Sequence, residues 1–218
     1  MAPAKPYANP DMSAEDRDFY RWYGPWRPLT PRGMVRVMRG ANIRWWIVGG
    51  WAVDAFTGVP REHEDIDVSF FRADLPRLLE HLAPNYCVWS NFSGTLRPMR
   101  KPEDLIEGSR QLWVRRDGYG PWLFDLAMNP HDGDTWISAR HEEIRMPFDV
   151  ATYVAAADGI RYLQPEIVLW MKAHRDRSID ERDIAETLPR LRPAQVQWLR
   201  ATLVATHPGH RWLKLLRA

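Results

Sequence analysis

The chain has 218 residues, a formal net charge of +2, and 45% hydrophobic and 27% charged residues. This composition is typical of a soluble globular protein and excludes a disordered chain, and the small net charge does not favour a dedicated nucleic-acid-binding protein. Cys87 is the only cysteine, which excludes an intrachain disulfide. The sequence shows neither an apolar stretch long enough for a membrane helix nor a signal-peptide pattern, so a cytoplasmic location is expected.

The first 44 residues are predicted to form an N-terminal helical segment. Ser13, followed by acidic residues, predicts the start of a short helix. Thr30-Pro31 predicts the cap of a second helix, which Gly40 ends. The aromatic residues of this segment either pack as a lid over the core or stack on a substrate.

A strand, a glycine pair and a helix are predicted next. Trp45 to Val48 is short and apolar, Gly49-Gly50 predicts a turn, and a helix is expected from about Trp51. Glycines let the backbone approach a ligand closely, and the N–H groups that open a helix bind anions. The sequence therefore predicts a phosphate-binding corner at Gly49 and Gly50.

The following strand carries two aspartates separated by one residue. Polar and apolar residues alternate from Asp65 to Phe70, which predicts a half-buried strand. Asp65 and Asp67 would share one face, roughly 7 Å apart, with Ile66 and Val68 on the core face. Because neighbouring carboxylates repel each other, a divalent cation with oxygen ligands is expected beside them.

The order and spacing of these residues resemble a known signature. Its members here are Gly49, Gly50, Asp54, Gly58, Arg61, His63, Asp65 and Asp67. The pattern is similar to that of the polymerase-β-type nucleotidyltransferases, and most similar to the aminoglycoside 2″-nucleotidyltransferase branch. The resemblance is strongest over residues 45–70 and continues more weakly to about residue 190. It implies that the glycine corner holds nucleotide phosphates, that Asp65 and Asp67 bind Mg²⁺, and that a carboxylate from a later strand completes the site.

The remaining elements alternate before the chain becomes helical. The predictions are a helix at 73–82, strands at 86–90, 111–115, 122–128 and 140–146, a hairpin turn at 117–120, and helices from Pro165, Ile179 and Pro193. Residues 91–108 contain two prolines and are predicted to be a loop or an insertion. The predicted class is α+β, a nucleotidyltransferase-type mixed sheet flanked by helices. Its core spans 45–150, and a helical C-terminal subdomain spans 151–218.

Asp125 lies within an otherwise apolar predicted strand. A buried carboxylate without a partner is costly, so Asp125 needs one. It either forms a salt bridge with an arginine such as Arg115 or serves as the third catalytic carboxylate. The resemblance favours the second role, as a Mg²⁺ ligand or as the base that deprotonates an acceptor hydroxyl.

Three further residues are candidate contacts to the nucleotide phosphates. Arg61 contacts phosphate or compensates the charge of the acids. His63 contacts phosphate, orients a carboxylate, or is a hydrogen-bonded structural residue. Lys172 lies on a largely apolar predicted helix, where a lysine usually extends its amine to solvent. The resemblance implies instead that Lys172 approaches the phosphates.

The resemblance implies an adenylyltransferase. The expected reaction moves AMP from MgATP, or a nucleotide from another triphosphate, to a hydroxyl of a small molecule such as an aminoglycoside-like antibiotic. The expected partners are the triphosphate and this acceptor, without nucleic acid or membrane. Two alternatives remain open: a protein or RNA acceptor, as in toxin–antitoxin nucleotidyltransferases, or a nucleotide-binding regulator without turnover.

Overall fold

The computed structural model describes residues 22–175 and 177–216, and the helix predicted from Ser13 begins outside them. Strands β1 to β6 are Trp45–Ile47, Asp67–Phe71, Cys87–Phe92, Thr95–Met99, Gln111–Arg115 and Trp122–Asn129. Strands β7 to β11 are His131–Asp132, Thr135–Ile137, Arg145–Pro147, Thr152–Val154 and Arg161–Leu163. Helices α1 to α7 are Pro31–Met38, Gly49–Thr57, Leu75–Leu82, Phe148–Ala151, Pro165–Lys172, Ser178–Thr187 and Pro193–Thr206. Short 3-10 helices cover Arg72–Asp74, Pro102–Asp104, Leu188–Arg190 and Arg211–Lys214.

The described strands form one large mixed sheet and one small sheet. The large sheet has the order β10-β11-β1-β2-β6-β5-β3-β4, and β7, β8 and β9 form the small antiparallel sheet. In the large sheet, β1 pairs in parallel with β11 and β2 pairs in parallel with β6, whereas the other neighbours are antiparallel. The predicted α+β class with a mixed sheet flanked by helices is confirmed.

Local signals in the sequence explain several of these elements. The Thr30 hydroxyl accepts a hydrogen bond from Gly33 N at 3.2 Å and caps α1, as predicted. In the hairpin of β5 and β6, the Asp117 carboxylate accepts hydrogen bonds from the N–H groups of Tyr119 and Gly120, at 2.9 and 2.7 Å. Helix α3, predicted at 73–82, buries an apolar face that consists of Leu75, Leu78, Leu79 and Leu82.

Three predictions about strands are wrong. The strand predicted at 140–146 is replaced by β9, which covers only Arg145–Pro147. Residues 91–108 are not only loop, because β4 pairs with β3 through a turn in which Ser93 and Gly94 have φ angles of 47° and 78°. Pro98 lies on β4, an edge strand, where a missing N–H costs no ladder bond. The β2 strand begins at Asp67 rather than Asp65, and it is covered on both faces because Ser69 is also buried.

The C-terminal part adds strands to the core as well as helices. Strands β10 and β11 lie beyond the predicted boundary at residue 150, and β11 extends the large sheet by pairing Tyr162 with Ile47. Helix α5 packs against α2 and α7, and α6 packs against α2. Within the described ranges, none of the helices has both the length and the apolar character needed to cross a membrane.

Candidate active site

Two of the predicted acids meet at the junction of two parallel strands. Asp67, the first residue of β2, is the direct partner of Asp125 on β6, so both side chains project from the same face. The pairing is fixed by the backbone, since Asp125 N donates to Ile66 O at 3.0 Å. Asp125 is buried, Asp67 is half-buried, and Asp65 is exposed just before the strand. The structure therefore brings Asp67 and Asp125 together and leaves Asp65 at the rim.

The environment of Asp67 disfavours its charged form. Burial, followed by the charge of Asp65, raises the pKa of Asp67 from 3.8 to about 7. The charges of Lys172, Arg175 and Arg177 act in the opposite direction but do not outweigh these effects. Asp67 thus lies in a position where an added cation would be favourable.

Asp125 is held by two donors on the neighbouring strand. Gln111 Nε2 and Trp113 Nε1 both donate to Asp125 Oδ2, the latter at 3.1 Å. Burial, followed by the charge of Asp67, nevertheless raises the pKa of Asp125 well above its usual range. Gln111 and Trp113 were not predicted as site residues; the only signal was their period-two spacing on a strand adjacent to Asp125.

The alternative role for Asp125, a salt bridge to Arg115, is wrong. The Arg115 guanidinium lies between two indole rings, 4.4 Å from the centroid of Trp89 and 4.2 Å from that of Trp122. This stacking directs Arg115 into an aromatic cluster rather than towards Asp125. The Asp125 carboxyl group is therefore held by neutral donors, and no basic side chain of the described residues pairs with it.

The side chains that pack against Gly49 and Gly50 leave no room for a Cβ at either position. Gly49 has a φ angle of 68°, and a Cβ at this position would overlap the Asp67 carboxylate. A Cβ at Gly50 would overlap the guanidinium group of Arg61. Val48 N donates to Asp67 O at 3.0 Å, which fixes the corner beside the acid. Helix α2 begins here without a side-chain cap from Val48, so its first N–H groups suit an anion.

Arg61 and His63 lie behind this corner in an ion-pair network. His63 Nε2 is 2.8 Å from Asp54 Oδ2, and the His63 ring stacks on Trp51 at a centroid distance of 4.0 Å. Arg61 N donates to Asp54 Oδ2 at 3.0 Å, and Arg61 Nε is 3.3 Å from Asp183 Oδ1. These contacts match the structural role considered for His63, and a phosphate contact by either residue stays a prediction.

Lys172 belongs to the same network and does not extend to solvent. Its Nζ lies 2.9 Å from Asp180 Oδ1 and 2.9 Å from Asp183 Oδ2, and all three side chains are buried. Arg177 Nε is 2.8 Å from Asp180 Oδ2. Lys172 acts on the site through its charge, which lowers the pKa of Asp67, while its direct contact to phosphate stays a prediction.

The predicted set of three metal ligands is not preassembled. Over the residues that the structure describes, no group of three or more His, Cys, Asp or Glu side chains is arranged to hold a metal ion. Mg²⁺ commonly binds through one or two carboxylates and completes its shell with water and substrate phosphates. Asp67, with Asp65 or Asp125 as the second carboxylate, fits this kind of site, because a cation would relieve the repulsion that raises the pKa of Asp67.

The family comparison agrees with the predicted resemblance. Residues 32–100 match the family model described as aminoglycoside-2″-adenylyltransferase. This range includes the glycine corner, Asp65 and Asp67 and ends before Asp125. A comparison with curated proteins finds no match.

Solved structures of antibiotic-modifying proteins share the fold. The solution structure of the antibiotic-resistance factor ANT(2'')-Ia is 19% identical, covering 79% of this chain and 88% of that chain with a TM-score of 0.52. The crystal structure of ANT(2'')-Ia with adenylyl-2''-tobramycin is 18% identical, with coverages of 79% and 93% and a TM-score of 0.51. The lincosamide antibiotic adenylyltransferase LnuA, bound to lincomycin, is 19% identical, with coverages of 73% and 97% and a TM-score of 0.52. The nucleotidyltransferase fold is thereby confirmed.

Proposed function

We propose that this protein is a Mg²⁺-dependent nucleotidyltransferase that moves AMP from ATP to a hydroxyl group of a small molecule. One observation carries the proposal: Asp67 and Asp125 pair directly across two strands, beside a glycine corner that opens a helix. Acids from two strands next to an anion-binding turn suit a metal–triphosphate substrate. The match of residues 32–100 to an adenylyltransferase family supports the same reaction.

In this proposal the chain's own groups position the triphosphate. The N–H groups that open α2 at Gly49 and Gly50 bind phosphate oxygens, since no side chain caps them at Val48. Asp67, with Asp65 beside it, would hold Mg²⁺. When bound, the metal neutralises negative charge on the phosphates and helps to align the attacking and leaving oxygens.

Asp125 serves as the base. The acceptor hydroxyl oxygen forms a bond to the α-phosphorus, the bond from that phosphorus to the bridging oxygen breaks, and pyrophosphate leaves. Asp125 takes the hydroxyl proton. Gln111 and Trp113 both donate to Oδ2, which fixes the orientation of the carboxylate and leaves Oδ1 for the acceptor.

The proposed acceptor is an antibiotic that carries sugar hydroxyl groups. ANT(2'')-Ia is known in complex with an adenylylated tobramycin, and LnuA is known with lincomycin bound. The family match favours an aminoglycoside-like acceptor over a lincosamide. Protein and RNA acceptors are the competing outcomes in the test.

The test is transfer of label from α-³²P ATP in the presence of Mg²⁺. The acceptors are a panel of aminoglycosides and lincosamides, with RNA and cell-lysate proteins as comparison arms. We expect labelled antibiotic and equimolar pyrophosphate. Labelled RNA or labelled protein alone would replace the proposed acceptor class, and nucleotide binding without any transfer would contradict the proposed reaction.

A second measurement separates the roles of the two paired acids. Asp67→Asn should raise the Mg²⁺ concentration needed for half-maximal rate, because it removes a proposed ligand. Asp125→Asn should lower kcat and leave this Mg²⁺ dependence unchanged, because it removes the proposed base. A large shift in Mg²⁺ dependence for Asp125→Asn would make Asp125 a ligand instead.

A further inference from the structure

Two arginines and a histidine, Arg140, His174 and Arg175, form a cluster at the end of α5, which we call the Arg–His cluster. Arg140 lies between β8 and β9, and the other two residues follow α5. Arg140 Nη1 lies 2.8 Å from His174 Nε2, and Arg175 Nε donates to the same nitrogen at 3.2 Å. All three side chains are partly exposed, so a ligand can reach them.

His174 holds the two arginines without neutralising them. Arg140 Nη1 lies 2.7 Å from His174 Nδ1 as well as 2.8 Å from Nε2, and Nδ1 also contacts Met171 O. Burial, followed by the charge of Arg140, lowers the pKa of His174 to about 4, so the ring is neutral at physiological pH. The cluster therefore carries two full positive charges around one uncharged ring.

These charges differ from the other cations near the site. In the described part of the chain, neither Arg140 nor Arg175 forms a salt bridge, whereas Arg61, Lys172 and Arg177 each pair with buried aspartates. Two neighbouring guanidinium groups without carboxylates repel each other, and this repulsion contributes to a lowered pKa of Arg140, after partial burial. An anion is the ligand that would relieve it.

The cluster lies near the glycine corner through the ion-pair network. Arg175 closely follows Lys172 in the chain, Lys172 Nζ is 2.9 Å from Asp183 Oδ2, and Asp183 Oδ1 is 3.3 Å from Arg61 Nε, whose side chain packs against Gly50. A cavity of about 300 Å³ adjoins the cluster, lined by Ala173, His174, Arg175, His210 and Arg211. Arg175 supplies the positive charge of this cavity, since Arg211 forms a salt bridge with Glu181.

We propose that Arg140 and Arg175 bind the β- and γ-phosphates of the nucleotide and the pyrophosphate formed from them. This assignment rests on the proposed nucleotidyl transfer. Guanidinium groups bind phosphate oxygens through two parallel hydrogen bonds, which matches a polyphosphate better than a single amine does. Arg61 and Lys172, which the sequence predicted as phosphate contacts, form ion pairs with aspartates instead.

Calorimetric titration of pyrophosphate and of AMP, each with Mg²⁺, tests the assignment without requiring an acceptor. Arg140→Gln and Arg175→Gln should each weaken pyrophosphate binding roughly tenfold, the loss of one charge-assisted contact, and the double variant should lose more. Binding of AMP, whose phosphate occupies the glycine corner, should not change. Arg175→Lys should recover part of the affinity, and Arg200→Gln, at an exposed arginine on α7, is the matched control.

A change at His174 provides an independent test. His174→Asp places a carboxylate between the two arginines and should abolish pyrophosphate binding, whereas His174→Asn should retain most of it. Unchanged pyrophosphate affinity in the Arg140→Gln/Arg175→Gln protein would overturn the assignment, even if nucleotide transfer were demonstrated. Conversely, arginine-dependent pyrophosphate binding in a protein that never transfers nucleotide would leave the assignment standing and refute the proposed function.

Discussion

Two groups of charged residues flank the glycine corner, and their electrostatics are opposite. In the ion-pair network, burial acts to raise the pKa of Asp180, but hydrogen bonds from Arg177 and the charge of Lys172 lower it overall. In the carboxylate pair, burial and like charge raise the pKa of both Asp67 and Asp125. The same residue types thus stabilise the fold in one place and are left in repulsion in the other. A bound cation would relieve the repulsion between Asp67 and Asp125, so the carboxylate pair is the group expected to bind a ligand.

The largest expected effect comes from removing charge in the carboxylate pair. Asp125→Asn keeps an oxygen to accept from Trp113 but cannot take a proton, so kcat for nucleotide transfer should fall roughly 10²–10⁴-fold. The protein should be at least as stable as wild type, because repulsion with Asp67 is removed. Steady-state kinetics and thermal unfolding measure both, with Asp132→Asn as an exposed control. Unchanged kcat would refute the role of Asp125.

The opposite response is expected in the ion-pair network. Lys172→Met leaves the buried carboxylates of Asp180 and Asp183 without their shared cation, which should cost about 3–5 kcal/mol of unfolding free energy. Urea denaturation measures this loss, with Lys214→Met, at an exposed lysine, as the control. Adding Asp183→Asn should recover part of the stability. A stable Lys172→Met protein would show that the network does not stabilise the fold.

Alanine substitutions at Gly49 and Gly58 distinguish backbone strain from interference with the site. Gly49 and Gly58 have φ angles of 68° and 72°, but only at Gly49 would a Cβ meet the Asp67 carboxylate. Alanine at either position should cost about 1–2 kcal/mol of stability through backbone strain. Only Gly49→Ala should also lower the affinity for Mg²⁺ and ATP, as measured by titration. Equal ATP affinity in both variants would contradict the placement of Asp67 at the corner.

A final test of the carboxylate pair compares two pH profiles of stability. The folded protein holds the proton of Asp67 more tightly than the unfolded chain does, because its pKa rises from 3.8 to about 7 on folding. The contribution of Asp67 to stability is therefore present below pH 3.8 and lost as the pH rises to about 7. Relative to wild type, Asp67→Asn should gain stability across this window and no further above it. Parallel profiles from thermal unfolding at each pH would contradict this.

Sequence patterns predicted the parts of the site that depend on local order. Gly49 and Gly50 follow a strand and open a helix, and Asp67 begins the next strand, so neighbours in the chain fix their positions. Asp125 was predictable because a single acid in an apolar strand needs an explanation. The start of α1 and the position of α3 followed from capping and from helical periodicity in the same way.

The remaining features depend on register and on contacts between distant segments. Gln111 and Trp113 reach Asp125 only because β5 pairs with β6 in one particular register. Arg140 meets His174 only after the small sheet packs near the end of α5. The pairing of Lys172 with Asp180 and Asp183 could not be predicted, because these two residues lie on α6 and reach Lys172 only through the packing of that helix. Without these partners, Lys172 was interpreted as a phosphate contact. Strand β4 was not predicted, because it contains Pro98.

The parallel pairing of β1 with β11 has a consequence for synthesis on the ribosome. Tyr162, the strand partner of Ile47, emerges from the ribosome much later than Ile47 does. Until then, one side of β1 exposes unpaired backbone groups and apolar side chains to solvent. The corner at Gly49 continues directly from β1 and gains its final support only at that late stage. A chain shortened before Arg161 would retain Asp65, Asp67 and Asp125 and yet lack the strand that supports β1, leaving an aggregation-prone, inactive fragment for the cell's chaperones and proteases.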